Sequence, residues 1–255
     1  MLQGASNFRD LGGMVAAGGK KIRNGVLFRS NSLARVTVQD MSVLDGCEIR
    51  TIIDLRSCAE RERSPALWQP AAGETLVSAK PDTESILHSV IGDGMGDTEE
   101  WRRRFSGFFA DIPELYAREY SSMFVALAAG RVPLLVNCSA GKDRTGVAVL
   151  LLLTILGVPF KLALKDYLLS ADRLNGDTAF VEMLTGKVLH GFANLPSEAR
   201  AVMLGVHEAH ARAALDAVSR NYGSVERYAM ERLSLARSDL DLIRSNLLVP
   251  VQRRL

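Results

Sequence analysis

The chain has 255 residues, 47% of them hydrophobic and 24% charged, which is enough to bury a large core as one domain over residues 1–255. Its 31 basic residues against 29 acidic ones leave a net charge of +2, which excludes the electrostatic footprint of a nucleic-acid binder. Three cysteines are an odd and sparse set that excludes a disulfide framework, so a reducing compartment is expected. The first ten residues lack the charged start and apolar run of a signal peptide. The longest apolar stretch, 147–158, is shorter than the ~20 residues of a membrane span. A cytoplasmic location is expected, with export by a signal-independent route left open.

In chain order, the segment Asn7-Phe8-Arg9-Asp10-Leu11-Gly12-Gly13 reads as a turn. Asn7 and Asp10 would bond local backbone there, and direct contact of Arg9 and Asp10 with a functional loop is the competing reading. The runs 20–23 and 26–29 flank Asn24-Gly25, a two-residue hairpin signal. Residues 37–44 predict a short helix with Thr37 as N-cap and Asp40 three positions on. Residues 49–55 predict a buried strand that carries Asp54 and leads to Arg56.

The stretch 73–100, with Pro81, Gly92, Gly94 and Gly96, reads as a loop, and 73–112 as a lid-like insertion. It leads into Trp101-Arg102-Arg103-Arg104 and Phe105, Phe108 and Phe109. A lid that meets a lipid surface or a phosphorylated protein is one reading of that arginine run. A solvated helix face with its apolar residues packed inward is the other. Beyond residue 160 the pattern is helical: 162–174, 196–220, 224–235 and 238–248, the last opened by a Ser238/Asp241 capping pair. Strands that carry Asp54 and Cys138, alternating with helices, predict an α/β fold, a central mostly parallel twisted sheet flanked by helices with an extended C-terminal helical region over about 160–255.

The most informative stretch is Asn137-Cys138-Ser139-Ala140-Gly141-Lys142-Asp143-Arg144-Thr145-Gly146, entered by the apolar run Leu134-Leu135-Val136 and left by the apolar run 147–158. It predicts strand, loop and helix. Cys138 and Arg144 form a C-x5-R unit whose backbone N–H groups can converge on a phosphate at a helix N-terminus. Cysteines in such settings titrate at roughly 3.5–7.5 instead of about 8.5, so Cys138 is expected as a thiolate nucleophile. Arg144 offers a planar fork that matches phosphoryl oxygens, and Lys142 adds a point charge. Asp143 is the nearest acid for the leaving oxygen, with Asp111, Asp82 and Asp93 as alternatives. Val136 at the first glycine position and Asp143 after the lysine exclude the Walker pattern. The chemistry requires no metal and no cofactor. His88, His190, His207 and His210 show no ligand grouping with the cysteines, and His207 and His210 are expected on a helix surface.

These residues resemble the signature of the protein tyrosine phosphatase superfamily, in the bacterial branch of LipA- and PtpB-type phosphatases. Three further segments match that branch: Asn7 to Gly13, Leu27-Phe28-Arg29-Ser30 and Ile53-Asp54-Leu55-Arg56-Ser57. The stretch Tyr222-Gly223-Ser224-Val225-Glu226-Arg227-Tyr228 is similar to the branch's closing helices. The resemblance implies Cys138 as nucleophile, Arg144 as phosphate clamp and Asp143 as general acid. It implies Ser139, Ala140, Gly141, Lys142, Thr145 and Gly146 as the phosphate-binding loop, with the Thr145 hydroxyl on the leaving thiolate and Asp54 as a supporting carboxylate. From the residues themselves, Asp54, Arg56, Ser57 and Arg61 are candidates for substrate recognition, with a salt-bridged strand end as the competing reading of Asp54 and Arg56. Its implied substrates are phosphotyrosine and, in several members, phosphoserine, phosphothreonine or phosphoinositides. A monomer with transient membrane contact fits that reading.

One departure stands out: the family has histidine where this chain has Asn137, which cannot carry a charge. A phosphate-binding relative with impaired turnover is therefore an alternative reading. A weaker third, a sulfur- or arsenate-reducing enzyme, would need a resolving cysteine, and neither Cys47 nor Cys58 is close to Cys138 in sequence.

Overall fold

The structure, a computed structural model, describes residues 2–77, 96–174 and 191–251. The chain runs β1 (Arg9–Asp10), β2 (Val15–Ala16), β3 (Lys20–Ile22), β4 (Leu27–Ser30), α1 (Val38–Gly46), β5 (Thr51–Asp54), α2 (Cys58–Arg63) and β6 (Glu74–Val77). It continues through α3 (Thr98–Leu115), α4 (Ala117–Ala128), β7 (Leu134–Asn137), α5 (Arg144–Ile155) and α6 (Phe160–Arg173). It closes with α7 (Ser197–Leu204), α8 (Glu208–Tyr222), α9 (Val225–Glu231), α10 (Arg237–Leu247) and β8 (Leu248–Pro250).

The central sheet has the order β1-β4-β7-β5-β6, parallel throughout except for β1, which pairs antiparallel with β4. Strands β4, β5 and β7 are buried at every position, as a parallel sheet covered on both faces requires. Side chains alternate across it: Leu27, Ile53, Leu134 and Val136 join the larger core with the helices, while Phe28, Ile52 and Leu135 join a smaller core with Leu44 of α1 and Trp68. Helix α5 is buried along its whole length but for Thr154, so it is the central core helix. Gly157, at φ +75°, ends it, with the Gly157 and Val158 amides bonded back to Thr154 and Leu153 at 3.0 and 2.9 Å. Among the described residues no helix is long and apolar enough to cross a membrane.

The mostly parallel α/β architecture with a helical C-terminal part is as the sequence predicts. Helix α1 carries the expected box, with Thr37 Oγ1 accepting from the Asp40 amide at 3.1 Å and the Asp40 carboxylate accepting from Thr37 N at 3.0 Å. Four local expectations are corrected. Asn24-Gly25 makes a turn with Gly25 at φ +72°, yet its flanking strands do not pair: β3 joins β2 and β8 in a second, antiparallel sheet, while β4 lies between β1 and β7. A turn signal fixes local dihedrals, and the burial of β4 at every position in the central sheet decides its neighbours.

The predicted loop 73–100 contains the edge strand β6, which pairs with β5, and the start of α3. The rest of the lid-like segment, with Asp82, His88 and Asp93, lies outside the described residues, as does His190. The predicted helix 196–220 is two helices, because the chain turns extended at Gly205 (ψ 169°) and His207 (ψ 139°). Helix α10 is capped by Asp239, whose carboxylate accepts from Ala236 N at 2.8 Å, and Asp241 instead bonds Arg244. The arginine run adopts the inward-packed alternative: Trp101, Phe105, Phe108 and Phe109 are buried, and Arg102, Arg103 and Arg104 pair with Glu99 and Glu100 on the outer face of α3.

Candidate functional site

Parallel register brings Ser30 of β4 and Asp54 of β5 opposite Asn137, the last residue of β7. All three strands therefore end at one edge, where the chain leaves β7 into the loop 138–143 and enters α5 at Arg144. This is the position at which open α/β sheets present their ligand crevice.

The loop's direction is set by its carbonyls. Ser139 O accepts from Ser32 N at 2.9 Å, and Ala140 O from Asn7 Nδ2 at 3.0 Å. Gly141 O accepts from Asn7 Nδ2 at 3.1 Å and from Arg29 Nη2 at 2.6 Å. A peptide unit is planar and trans, so each carbonyl tied outward turns the following N–H to the opposite side. One of those amides is seen at work: Gly141 N donates to Cys138 Sγ at 3.2 Å. Gly141 sits at φ +69°, and a Cβ there would lie 2.3 Å from Ser30 O, so only glycine fits. Gly146 is needed for closeness too, because a Cβ would lie 2.7 Å from the Tyr167 ring.

Arg144, 6% exposed, extends its guanidinium beneath the loop. Its Nη1 donates to Glu60 Oε2 at 2.7 Å and Leu55 O at 3.2 Å, and its Nη2 to Glu60 Oε1 at 2.8 Å and Ser139 Oγ at 3.1 Å. Ser139 Oγ also bonds Glu60 Oε1, and the Tyr120 hydroxyl donates to Arg144 O at 2.7 Å. Burial opposes ionisation of Glu60, but the Arg144 guanidinium and the Ser139 and Ser57 donors override it and hold the carboxyl well below the usual range. Burial likewise opposes the charge on Arg144, and Glu60 keeps that charge in place.

Glu60 was not among the sequence candidates, although Ser57-Cys58-Ala59-Glu60 is a legible capping box. Ser57 N donates to Glu60 Oε2 at 2.7 Å, and Glu60 N to Ser57 Oγ at 3.2 Å. The cap of α2 and the brace of Arg144 are the same carboxylate.

The remaining candidates divide by position. Lys142 is buried, its ammonium bonded to Asp143 Oδ1 at 2.7 Å and to the Met203 carbonyl at the end of α7 at 3.1 Å. Asp143 occupies the N-cap position of α5 without capping it, and its carboxylate is 18% exposed. Thr145 Oγ1 is buried with no hydrogen-bond partner among the described residues, so the bond on Sγ comes from the Gly141 amide rather than from this hydroxyl. Asp54 and Arg56 form a buried ion pair at 2.7 Å, and Arg56 further bonds Ser32 Oγ and Ser64 O, which makes them a brace at the strand end. Asn137 Nδ2 reaches Asp54 Oδ1 at 3.4 Å, and its Oδ1 is buried without a partner among the described residues.

Asp111 is exposed on α3. Asp10 binds the Gly12 and Gly25 amides at 2.8 and 2.7 Å, the local turn expected of it, while Arg9 is drawn inward to Asn7 and Asp166. His210 corrects the expectation of a surface position: it is 1% exposed and its ring stacks on Phe109 at 4.4 Å. Burial, with Lys142 and His207 nearby, pushes its pKa down to about 3.

A thiol at the end of β7, the Gly141 amide donating to it and a braced arginine six residues on form a site at a helix N-terminus that can hold an anion beside a sulfur. The chain matches the profile of the tyrosine phosphatase family over residues 1–249 and belongs to that family. Over 234 residues it is 32% identical to a Cupriavidus necator protein that carries a tyrosine-protein phosphatase name, covering 90% of this chain and 82% of that one. It is 30% identical over 194 residues to the triple specificity protein phosphatase PtpB of Mycobacterium tuberculosis (67% and 68% covered). A tyrosine-protein phosphatase of Nostoc commune is 29% identical over 157 residues (58% and 49% covered). The protein is a phosphatase.

Proposed function

We propose that this phosphatase hydrolyses phosphate monoesters through a cysteinyl-phosphate on Cys138. The observation that carries the reading is the set of three consecutive loop carbonyls tied outward, with the Gly141 amide between them donating to Sγ at the N-terminus of α5. Such amides stabilise both a thiolate and the oxygens of a phosphoryl group. Sγ attacks phosphorus, the P–O bond to the alcohol or phenol breaks, and Asp143 delivers a proton to the departing oxygen. Water then attacks phosphorus, Asp143 takes its proton, and thiolate and inorganic phosphate are released. Arg144, its plane fixed by Glu60, holds equatorial oxygens as charge builds on them. Lys142 orients Asp143 and joins the loop to α7.

Phosphotyrosine is the first substrate class, and the triple specificity in the name of the Mycobacterium relative supports a wider range. Phosphoserine, phosphothreonine and phosphoinositides are its candidates. The second reading, phosphate binding with impaired turnover, is favoured by one observation: among the described residues the Asn137 side chain makes one long bond, through Nδ2, and its Oδ1 has no partner.

Hydrolysis of para-nitrophenyl phosphate against pH, by wild type, Cys138→Ser and Asn137→His with chelator present, separates the two. Chelator-resistant activity that Cys138→Ser abolishes supports the enzyme. A silent wild type rescued by Asn137→His supports the binding relative and overturns the first reading.

A further inference from the structure

The register that pairs β1 with β4 sets Arg9 directly opposite Arg29. Like charges in that relation repel, and here both are buried, at 8% and 0% exposure. One carboxylate lies between them: Asp166 of α6 accepts from Arg9 Nε at 2.6 Å with Oδ1 and from Arg29 Nη1 at 2.5 Å with Oδ2. Ser170, one turn on, accepts from Arg9 Nη2 at 3.1 Å, and Asp166 O accepts from the same nitrogen at 2.8 Å. With their charges bridged, each arginine spends a further donor on the loop. Arg29 Nη2 holds Gly141 O directly, and Arg9 Nη1 holds Asn7 Oδ1 at 2.5 Å, which orients the Asn7 amide that holds Ala140 O and Gly141 O.

We infer that Asp166 is a positioning residue for the Cys138 loop: through Arg9 and Arg29 it fixes the carbonyls of Ala140 and Gly141, and through them the amides that receive the phosphoryl group. The inference rests on the reading of 138–144 as a phosphate cradle. Two arginines against one carboxylate leave a net positive charge under the loop, which also favours a bound anion. The charged groups of the loop and its clamp, Lys142 with Asp143 and Arg144 with Glu60, make their ion pairs with one another and not with Asp166. The neighbouring residue, Tyr167, packs on Gly146 in the first turn of α5, so α6 also meets the helix into which the loop runs.

The test measures kcat per active site, titrated by the pre-steady-state release of p-nitrophenol, and inhibition by inorganic phosphate. Asp166→Asn is expected to lose about 10²-fold in kcat per titrated site, the scale of an ångström-sized misplacement, and to bind phosphate about tenfold more weakly. Asp166→Glu recovers part of both, and Arg29→Lys, which keeps the charge but not the fork, reproduces the loss. Ser170→Ala is the milder variant, expected to fall about threefold. A fall in the titrated fraction alone, with kcat per site and phosphate inhibition unchanged in both Asp166→Asn and Ser170→Ala, would assign Asp166 to fold stability only and overturn the inference. A wild type that neither turns over nor binds phosphate would overturn the cradle itself, and this inference with it.

Discussion

Replacing Glu60 with glutamine keeps the shape of the brace on Arg144 and removes its charge. In the native protein two charge-assisted bonds, at 2.7 and 2.8 Å, join a carboxylate 12% exposed to a guanidinium 7% exposed. Each such bond is worth about 1.5–3 kcal/mol, and glutamine retains one acceptor but presents its NH2 to the second Arg144 arm. The expected loss is about 3 kcal/mol, at the lower edge of the cost of breaking a buried pair. For a chain of this size that lowers Tm by about 6–12 °C.

The pH dependence has a definite sign. The folded Glu60 carboxyl titrates well below its unfolded value, so its stabilisation is complete above the ordinary glutamate range and is lost as pH falls. Glu60→Gln should therefore unfold more easily at pH 7 and lose less of its remaining stability between neutral and acid pH than wild type. Because Arg144 loses its fixed plane, kcat/KM should fall about 10²-fold, the scale of a misplaced catalytic group. Chemical denaturation at a series of pH values, with kinetics on para-nitrophenyl phosphate, checks both. Equal acid sensitivity of the two proteins, or unchanged kcat/KM, would refute the claim that Glu60 braces the clamp.

Gly141→Ala forces a side chain into φ +69° and within 2.3 Å of Ser30 O, so it should cost at least about 10²-fold in kcat/KM, measured per folded molecule. His210 is neutral when folded, with its pKa pushed down to about 3 against 6.5 unfolded. Between those values the unfolded chain binds the extra proton, so native stability falls as pH drops below about 6.5. His210→Phe should flatten that part of the stability curve in urea titrations, and an unchanged slope would remove His210 as its source. Asp143→Asn should cut turnover of poor leaving groups far more than that of para-nitrophenyl phosphate. Asp111→Asn, exposed on α3, should change neither, and the reverse pattern would move the acid to Asp111.

The parts of the site legible in the sequence are those whose physics is local. An apolar run, a cysteine, eight small or polar residues and a second apolar run specify strand, loop and helix without reference to anything distant, and Thr37 with Asp40 specify a cap in the same way. Arg29, Glu60 and Asp166 were not legible as a support, because each acquires its role from strand register or helix packing. Arg29 meets Gly141 across 112 positions of sequence, and Arg9 meets Asp166 across 157. The same limit explains Asn24-Gly25, whose turn forms while sheet packing chooses other partners for both strands. It also explains His210, which the sequence alone places on a helix surface and which α3 covers. Asn7 and Arg9 lay between: their motif was visible, and only the fold decided that Asn7 touches the loop and Arg9 acts through Asn7.

The central claim is a phosphoryl group carried on Cys138. Rapid acid quench of wild type during turnover of a good leaving-group substrate, followed by peptide mass analysis, tests it directly. The account predicts one added phosphoryl group on the peptide that contains Cys138, and none in Cys138→Ser. Steady turnover with no modified Cys138 peptide at any quench time, or turnover that survives Cys138→Ser, would contradict it.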